Sequence, residues 1–232
     1  MKLQKETNEV ESSHGKWYGD ACGTAFAMEL VGERWSLLIV RELMLGARRF
    51  SDIRASLPGI SAKVLTERLG SLEEAGVLAK RQLPPPGKAQ VYELTAWGYS
   101  AEPLIQEAGR WAARSSAHDP TLPLSPVSLM LSMRTMVDKA RIGEVEGRRI
   151  GFAVGEEGFV AEPGEGMLPI RRGDPGTADA IFRAPIAAIV AGGLYAGVPW
   201  DELEREAGLS IAGDRDLALR YATLFALPPK LA

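Results

Sequence analysis

Apolar positions return every three to four residues between Ala21 and Leu45, where Trp35, Leu38, Ile39 and Leu43 share one helical face. Glu42 is the one polar intruder on that face, and Gly32 divides the stretch into two predicted helices. A short helix follows from Phe50, then a turn at Pro58-Gly59, then a second helix from Ser61 to Glu74. Ser61 is a good N-cap ahead of the apolar series Leu65, Leu69 and Leu72, and Gly76 falls where a helix end favours a left-handed residue. Val77 to Leu83 and Gln90 to Thr95 read as strands. Pro84-Pro85-Pro86-Gly87 between them cannot join a central ladder. Two helices on a tight turn followed by a hairpin form a winged helix-turn-helix, mainly α with a β-hairpin wing.

Ala96 to Ser116 predicts another helix, bent at Pro103. Residues 117–126 are polar and proline-rich and read as a linker between a unit at 20–116 and a second at 127–232, with 1–19 as a flexible tail. The texture then becomes α+β. A helix is expected over Val127–Ala140, and strands over Arg148–Val154, Gly158–Glu162, Ala178–Ala184 and Leu209–Ala212. Further helices are expected from Pro185 to Gly192, Trp200 to Ala207 and Asp214 to Leu227.

Composition narrows the function classes. The 232 residues are 46% hydrophobic and 25% charged, an ordinary soluble balance. No apolar run approaches a bilayer span and the start lacks a signal-peptide core, so no membrane partner and a cytoplasmic location are expected. One cysteine, Cys22, rules out a disulfide within the chain. The net charge of −3 is unevenly spread: Met44 to Thr95 holds eight Lys/Arg against five Asp/Glu, whereas Ala117 onward holds twelve against sixteen. A basic N-terminal module suits nucleic acid. Enzyme chemistry finds little support: the two histidines, His14 and His118, fall in the tail and the linker, and no Ser/His/Asp set, metal-ligand spacing or glycine-rich phosphate loop is present. No cofactor or metal is expected. Gly151 to Gly158 is glycine-rich but lies between strands, which fails a dinucleotide reading.

The N-terminal unit resembles the HxlR family of winged-helix regulators over roughly residues 20–115. The residues that carry the likeness are Cys22, Gly32-Glu33-Arg34-Trp35, Arg41-Glu42-Leu43, Arg49-Phe50-Ser51-Asp52-Ile53, Leu57-Pro58-Gly59-Ile60-Ser61 and Tyr92-Glu93-Leu94-Thr95. The resemblance implies operator DNA bound by a homodimer whose terminal helices, here 21–31 and 96–115, make the contact. Gly70 and the triple-proline wing depart from the family pattern. The C-terminal half resembles a sterol carrier protein type domain, on Ala178-Asp179-Ala180-Ile181-Phe182, Ala191-Gly192-Gly193-Leu194, Leu209 to Asp214 and Leu224-Phe225-Ala226-Leu227-Pro228. That resemblance implies a small sheet covered by helices around an apolar tunnel for a lipid-like effector.

Candidate site residues follow. With Leu65, Leu69 and Leu72 inward, Ser61, Lys63, Thr66 and Glu67 are placed to read base edges, although Lys63 and Glu67 can equally pair at i, i+4. Arg48, Arg49, Lys80, Arg81 and Lys88 are candidates for phosphate contact. Phe152, Val154, Phe159 and Phe182, with Ile186 and Ile189 on the next helix, are the tunnel candidates, and the same side chains suit a plain core. Cys22, ahead of a helix, is a possible redox or electrophile sensor; an inert small residue is the other reading, and Asp20 nearby would oppose a thiolate. Besides an enzyme confined to the C-terminal tunnel, two functional schemes stay open. In one, a ligand in the C-terminal domain modulates DNA binding. In the other, that domain is a lipid-binding or dimerisation scaffold and Cys22 alone senses.

Overall fold

The computed structural model describes residues 18–83 and 89–231. The expected tail, apart from its last two residues, lies outside the described residues, as do the proline tip of the wing and Lys88.

Helix α1 (Gly23–Val31) stops at Gly32, and α2 (Ser36–Leu43) starts after Trp35. Helix α3 (Phe50–Ser56) and α4 (Ala62–Glu74) form the helix-turn-helix. The Ser61 Oγ accepts from the Val64 amide at 3.2 Å, satisfying one of the orphan donors at the start of α4. Leu65, Leu69 and Leu72 are all buried. Gly76, at φ +73°, turns the chain from α4 into strand β1 (Leu78–Gln82). Strand β2 (Gln90–Leu94) pairs with it antiparallel, Lys80 opposite Tyr92. The Arg48 backbone joins the other edge of β2 through reciprocal hydrogen bonds with Tyr92.

The single helix expected over 96–116 is two: α5 (Ala96–Tyr99), capped by the Thr95 hydroxyl, and α6 (Glu102–Ala112). Pro103 sits in the first turn of α6, where its missing N–H removes no helical bond. The chain then runs without helix or strand to Ser125, which caps α7 (Pro126–Met136). Helix α7 packs against α6 and α2, so the irregular segment does not lead to a separate body. One contiguous buried core runs from Ile39 through Met130 to Phe182.

After a 3₁₀ turn (Lys139–Val145), strands β3 (Ile150–Val154), β4 (Glu157–Ala161), β5 (Ile170–Arg172), β6 (Ala180–Ala184) and β7 (Ser210–Gly213) form one sheet in the order β5-β4-β3-β6-β7. The β3–β6 pair is parallel and the others antiparallel. Helices α8 (Ala187–Tyr195), α9 (Trp200–Glu206) and α10 (Arg215–Ala222) complete an α+β unit. The 3₁₀ turn and β5 escape sequence reading: the first offers a single apolar pair, Ile142 and Val145, and the second is three residues, two of them arginine. Phe159, Phe152 and Phe182 lie in register across β4, β3 and β6. Phe152 and Phe182 stack at 5.4 Å, and Tyr221 of α10 and Trp200 of α9 close over them at 6.0 and 5.3 Å.

Candidate nucleic-acid interface and the junction behind it

The outer face of α4 is set by the inward leucines. Lys63 is 87% exposed and Glu67 about half exposed; their charged ends lie 4.0 Å apart, a loose surface pair of small energetic weight. Thr66 is exposed, with its hydroxyl donating back to the Ala62 carbonyl. Ser61 is exposed too, but its oxygen is occupied by the cap. The four readout candidates therefore lie at the start and outer side of one helix.

The phosphate candidates divide. Arg49, at the N-cap of α3, is exposed. Lys80 is held by Glu73 at 2.6 Å and Arg81 by Glu93 at 3.0 Å. The hydrogen bond with Glu73 raises the Lys80 pKa, and the same contact lowers that of Glu73, so Lys80 stays charged but already partnered. Arg48 departs from the expectation. Its side chain is 7% exposed, because the backbone bridge to Tyr92 turns it inward, where Nη1 donates to Glu42 at 3.0 Å and Nη2 to Glu157 at 2.9 Å. A guanidinium so enclosed is not presented to a DNA backbone.

Glu42, the polar intruder of α2, explains this. Its side chain is fully buried and accepts from Arg41, from Arg48 and from the Ser125 hydroxyl at 2.6 Å. Glu157, at the start of β4, also accepts from Arg172 of β5. A chain of alternating charges, Arg41–Glu42–Arg48–Glu157–Arg172, thus crosses from the helix-turn-helix unit into the C-terminal sheet. One sign of it is legible in the chain: a carboxylate inside an apolar helical repeat calls for a buried cation.

Cys22 is exposed at the N-cap of α1. The approach of the Ala25 and Thr24 amides lowers its pKa, although no capping hydrogen bond is completed. Asp20, expected to oppose the thiolate, instead accepts from the Cys22 backbone N–H at 2.9 Å. Of the tunnel candidates, Phe152, Val154, Phe159 and Phe182 are buried in mutual contact, Ile189 is half-buried and Ile186 is exposed. No helix is long and apolar enough to cross a membrane, and no cluster of metal-ligating side chains occurs, among the described residues.

A capped recognition helix, a paired hairpin and a supporting three-helix frame define a winged helix-turn-helix regulator. The chain belongs to the HxlR-like helix-turn-helix family, whose model matches residues 30–120. It is 40% identical over 86 residues to the uncharacterized HTH-type transcriptional regulator YvaP of Bacillus subtilis, a stretch that covers 37% of this chain and 80% of that protein. Likeness to the HTH-type transcriptional regulator YodB of the same organism is 38% over 86 residues, covering 37% of this chain and 77% of YodB. The solved reduced form of YodB is 34% identical and covers 43% of this chain and all of that one, with a TM-score of 0.39. These relatives are transcriptional regulators, which points away from an enzyme.

Proposed function

We propose that the chain is a sequence-specific DNA-binding regulator that acts as a homodimer, reading operator DNA with Ser61, Lys63, Thr66 and Glu67 of α4. The carrying observation is the exposed polar face of a capped α4, backed by its buried leucines, in a chain of this family. Arg49, Lys80 and Arg81 supply phosphate contacts, the latter two by exchanging Glu73 and Glu93 for phosphate.

The dimer reading is supported by what α1 and α6 leave uncovered. Neither helix has a buried residue; Met28 of α1 and Leu104 of α6 are exposed, as are Trp97 of neighbouring α5 and, at 79%, Trp111 of α6. Helix α6 packs Ile105 against the core and bonds α7 through Arg110 to the Thr135 carbonyl and Glu102 to Arg134, which leaves Leu104 and Trp111 turned outward to meet a second copy.

For the C-terminal unit, the sterol-carrier-like reading assigns a lipid-like effector whose preference for one dimer arrangement alters DNA affinity. The stacked and capped phenylalanine row favours the other scheme, a scaffold with Cys22 as the sensor, because a lipid there must first part those rings.

Titration of duplex DNA at two salt concentrations tests the DNA assignment. Lys63→Ala weakens the preferred sequence by about 1–3 kcal/mol and relaxes specificity, whereas Arg49→Ala weakens all sequences alike and lowers the salt slope by about one. Unchanged binding by both variants refutes the interface. Light scattering of the free protein shows twice the chain mass at micromolar concentration; a monomer refutes the dimer.

A further inference from the structure

We propose that the cleft between the helix-turn-helix unit and the C-terminal sheet binds a small amphipathic organic acid, whose carboxylate Arg172 takes. The cleft has a volume of about 990 Å³, at the top of the roughly 300–1,000 Å³ range of small-molecule sites, and it lies at a junction of two units, where such sites concentrate. Its walls come from both halves. Trp35 and Leu38 stand on the α2 side, Pro123 on the approach to α7, and Ile186 at the corner between β6 and α8.

Two observations point to a ligand with an apolar body. Leu38 is 38% exposed and Ile186 58% exposed, and these two large side chains, left uncovered by opposite halves, line the same cleft. Trp35 has φ +82°, a left-handed backbone that a bulky residue adopts only when its surroundings impose it, and such strain gathers at binding sites. Its indole lies beside Gly59, at φ +92° in the turn of the helix-turn-helix.

The charge of the ligand follows from Arg172. The connected chain Arg41–Glu42–Arg48–Glu157–Arg172 holds three guanidinium groups and two carboxylates, so one positive charge is left over. Arg172 ends that chain. Its Nη1 is on Glu157, but Nε and Nη2 are buried and have no acceptor. Buried donors without a partner are rare, and a guanidinium matches a carboxylate through two parallel bonds. The Phe159 ring, 5.0 Å from the guanidinium carbon, supports one face of the group. Two further carboxylates line the cleft. Glu156 is solvent-exposed at the β3–β4 turn, and Asp52 accepts from the Ser51 hydroxyl, so neither satisfies Arg172. A flat or branched apolar body against Trp35, Leu38 and Ile186 fits this arrangement, with one carboxylate on Arg172 once the guanidinium turns its shielded Nε and Nη2 toward the cleft. The site borders the phenylalanine row only through Phe159, beneath Arg172, and stands independently of the DNA-binding reading.

The test uses the full chain and 2-naphthoate, followed by isothermal titration calorimetry, with 2-naphthamide as the neutral twin and 2-naphthylmethylamine as the cation. Naphthoate saturates one site per chain, and the amide and the amine bind at least tenfold more weakly. Arg172→Gln lowers naphthoate affinity tenfold or more, and Arg172→Lys, which keeps the charge without the fork, recovers part of it. Arg172 also holds Glu157, so a second variant guards against a folding effect. Ile186→Glu changes only an exposed wall residue, keeps the thermal midpoint of the free protein, and lowers naphthoate affinity tenfold or more by repulsion. Absence of saturation at millimolar naphthoate, equal binding of the amide or the amine, or parental affinity in both Arg172→Gln and Ile186→Glu overturns the proposal.

Discussion

The helix-turn-helix half keeps its distinctive chemistry outside, on the polar face of α4 and the apolar faces of α1 and α6, whereas the C-terminal half turns its aromatic row inward between sheet and helices. A half whose exposed faces are this organised is shaped to meet partners. In the second half the largest side chains meet one another instead. Between them stands neither a flexible tether nor a purely apolar seam but a buried run of alternating charges. Such a run contributes little net stability over an apolar replacement, yet it fixes one geometry, because any other leaves a charge uncompensated.

The largest expected effect is at that junction. Glu42→Ala leaves Arg48 and Ser125 without their acceptor in a fully buried site and destabilises by about 3–5 kcal/mol. Urea denaturation followed separately through the two halves shows a coincident loss in both if the contrast between them is bridged as described. Loss in the N-terminal half alone separates them.

Phe182→Ala sharpens the comparison from the other side. It empties the space between Phe152 and Trp200 at one end of the aromatic row and costs about 3–5 kcal/mol, as large core truncations do. A much smaller cost means that the row is loosely packed and can admit a ligand, which restores the lipid reading. Ser61→Ala acts on α4 alone, removing the Val64 cap for about 1 kcal/mol, and is read as a shift in denaturation midpoint.

The smallest effect is at Cys22. Its pKa lies below that of an ordinary thiol, so the thiolate fraction at any pH near 7 is higher and alkylation by iodoacetamide rises to its plateau at a lower pH than for free cysteine. A rate profile matching free cysteine removes the sensor role.

Legibility in the sequence followed the range of the interactions. The helix-turn-helix could be read residue by residue because its determinants are local: a serine cap, a glycine at positive φ, leucines at helical spacing. Strands β3, β4, β6 and β7 were visible as segments, but their order and the parallel β3–β6 pairing are set by contacts across the chain. Arg48 shows the limit most clearly. Beside Arg49 it reads as a surface cation, and buried Glu42 together with Glu157, 109 residues away, makes it an interior one. Arg172 carries no such signal, being one of two adjacent arginines on an edge strand of three residues.

Selection of bound duplexes from a random pool by the full-length protein tests the central claim of a dimeric, sequence-reading α4. The account predicts enrichment of an inverted repeat whose half-sites lie about 10–10.5 base pairs apart or a multiple of that, lost in the Lys63→Ala protein. A pool that emerges without a preferred sequence, or enrichment that survives Lys63→Ala unchanged, contradicts it.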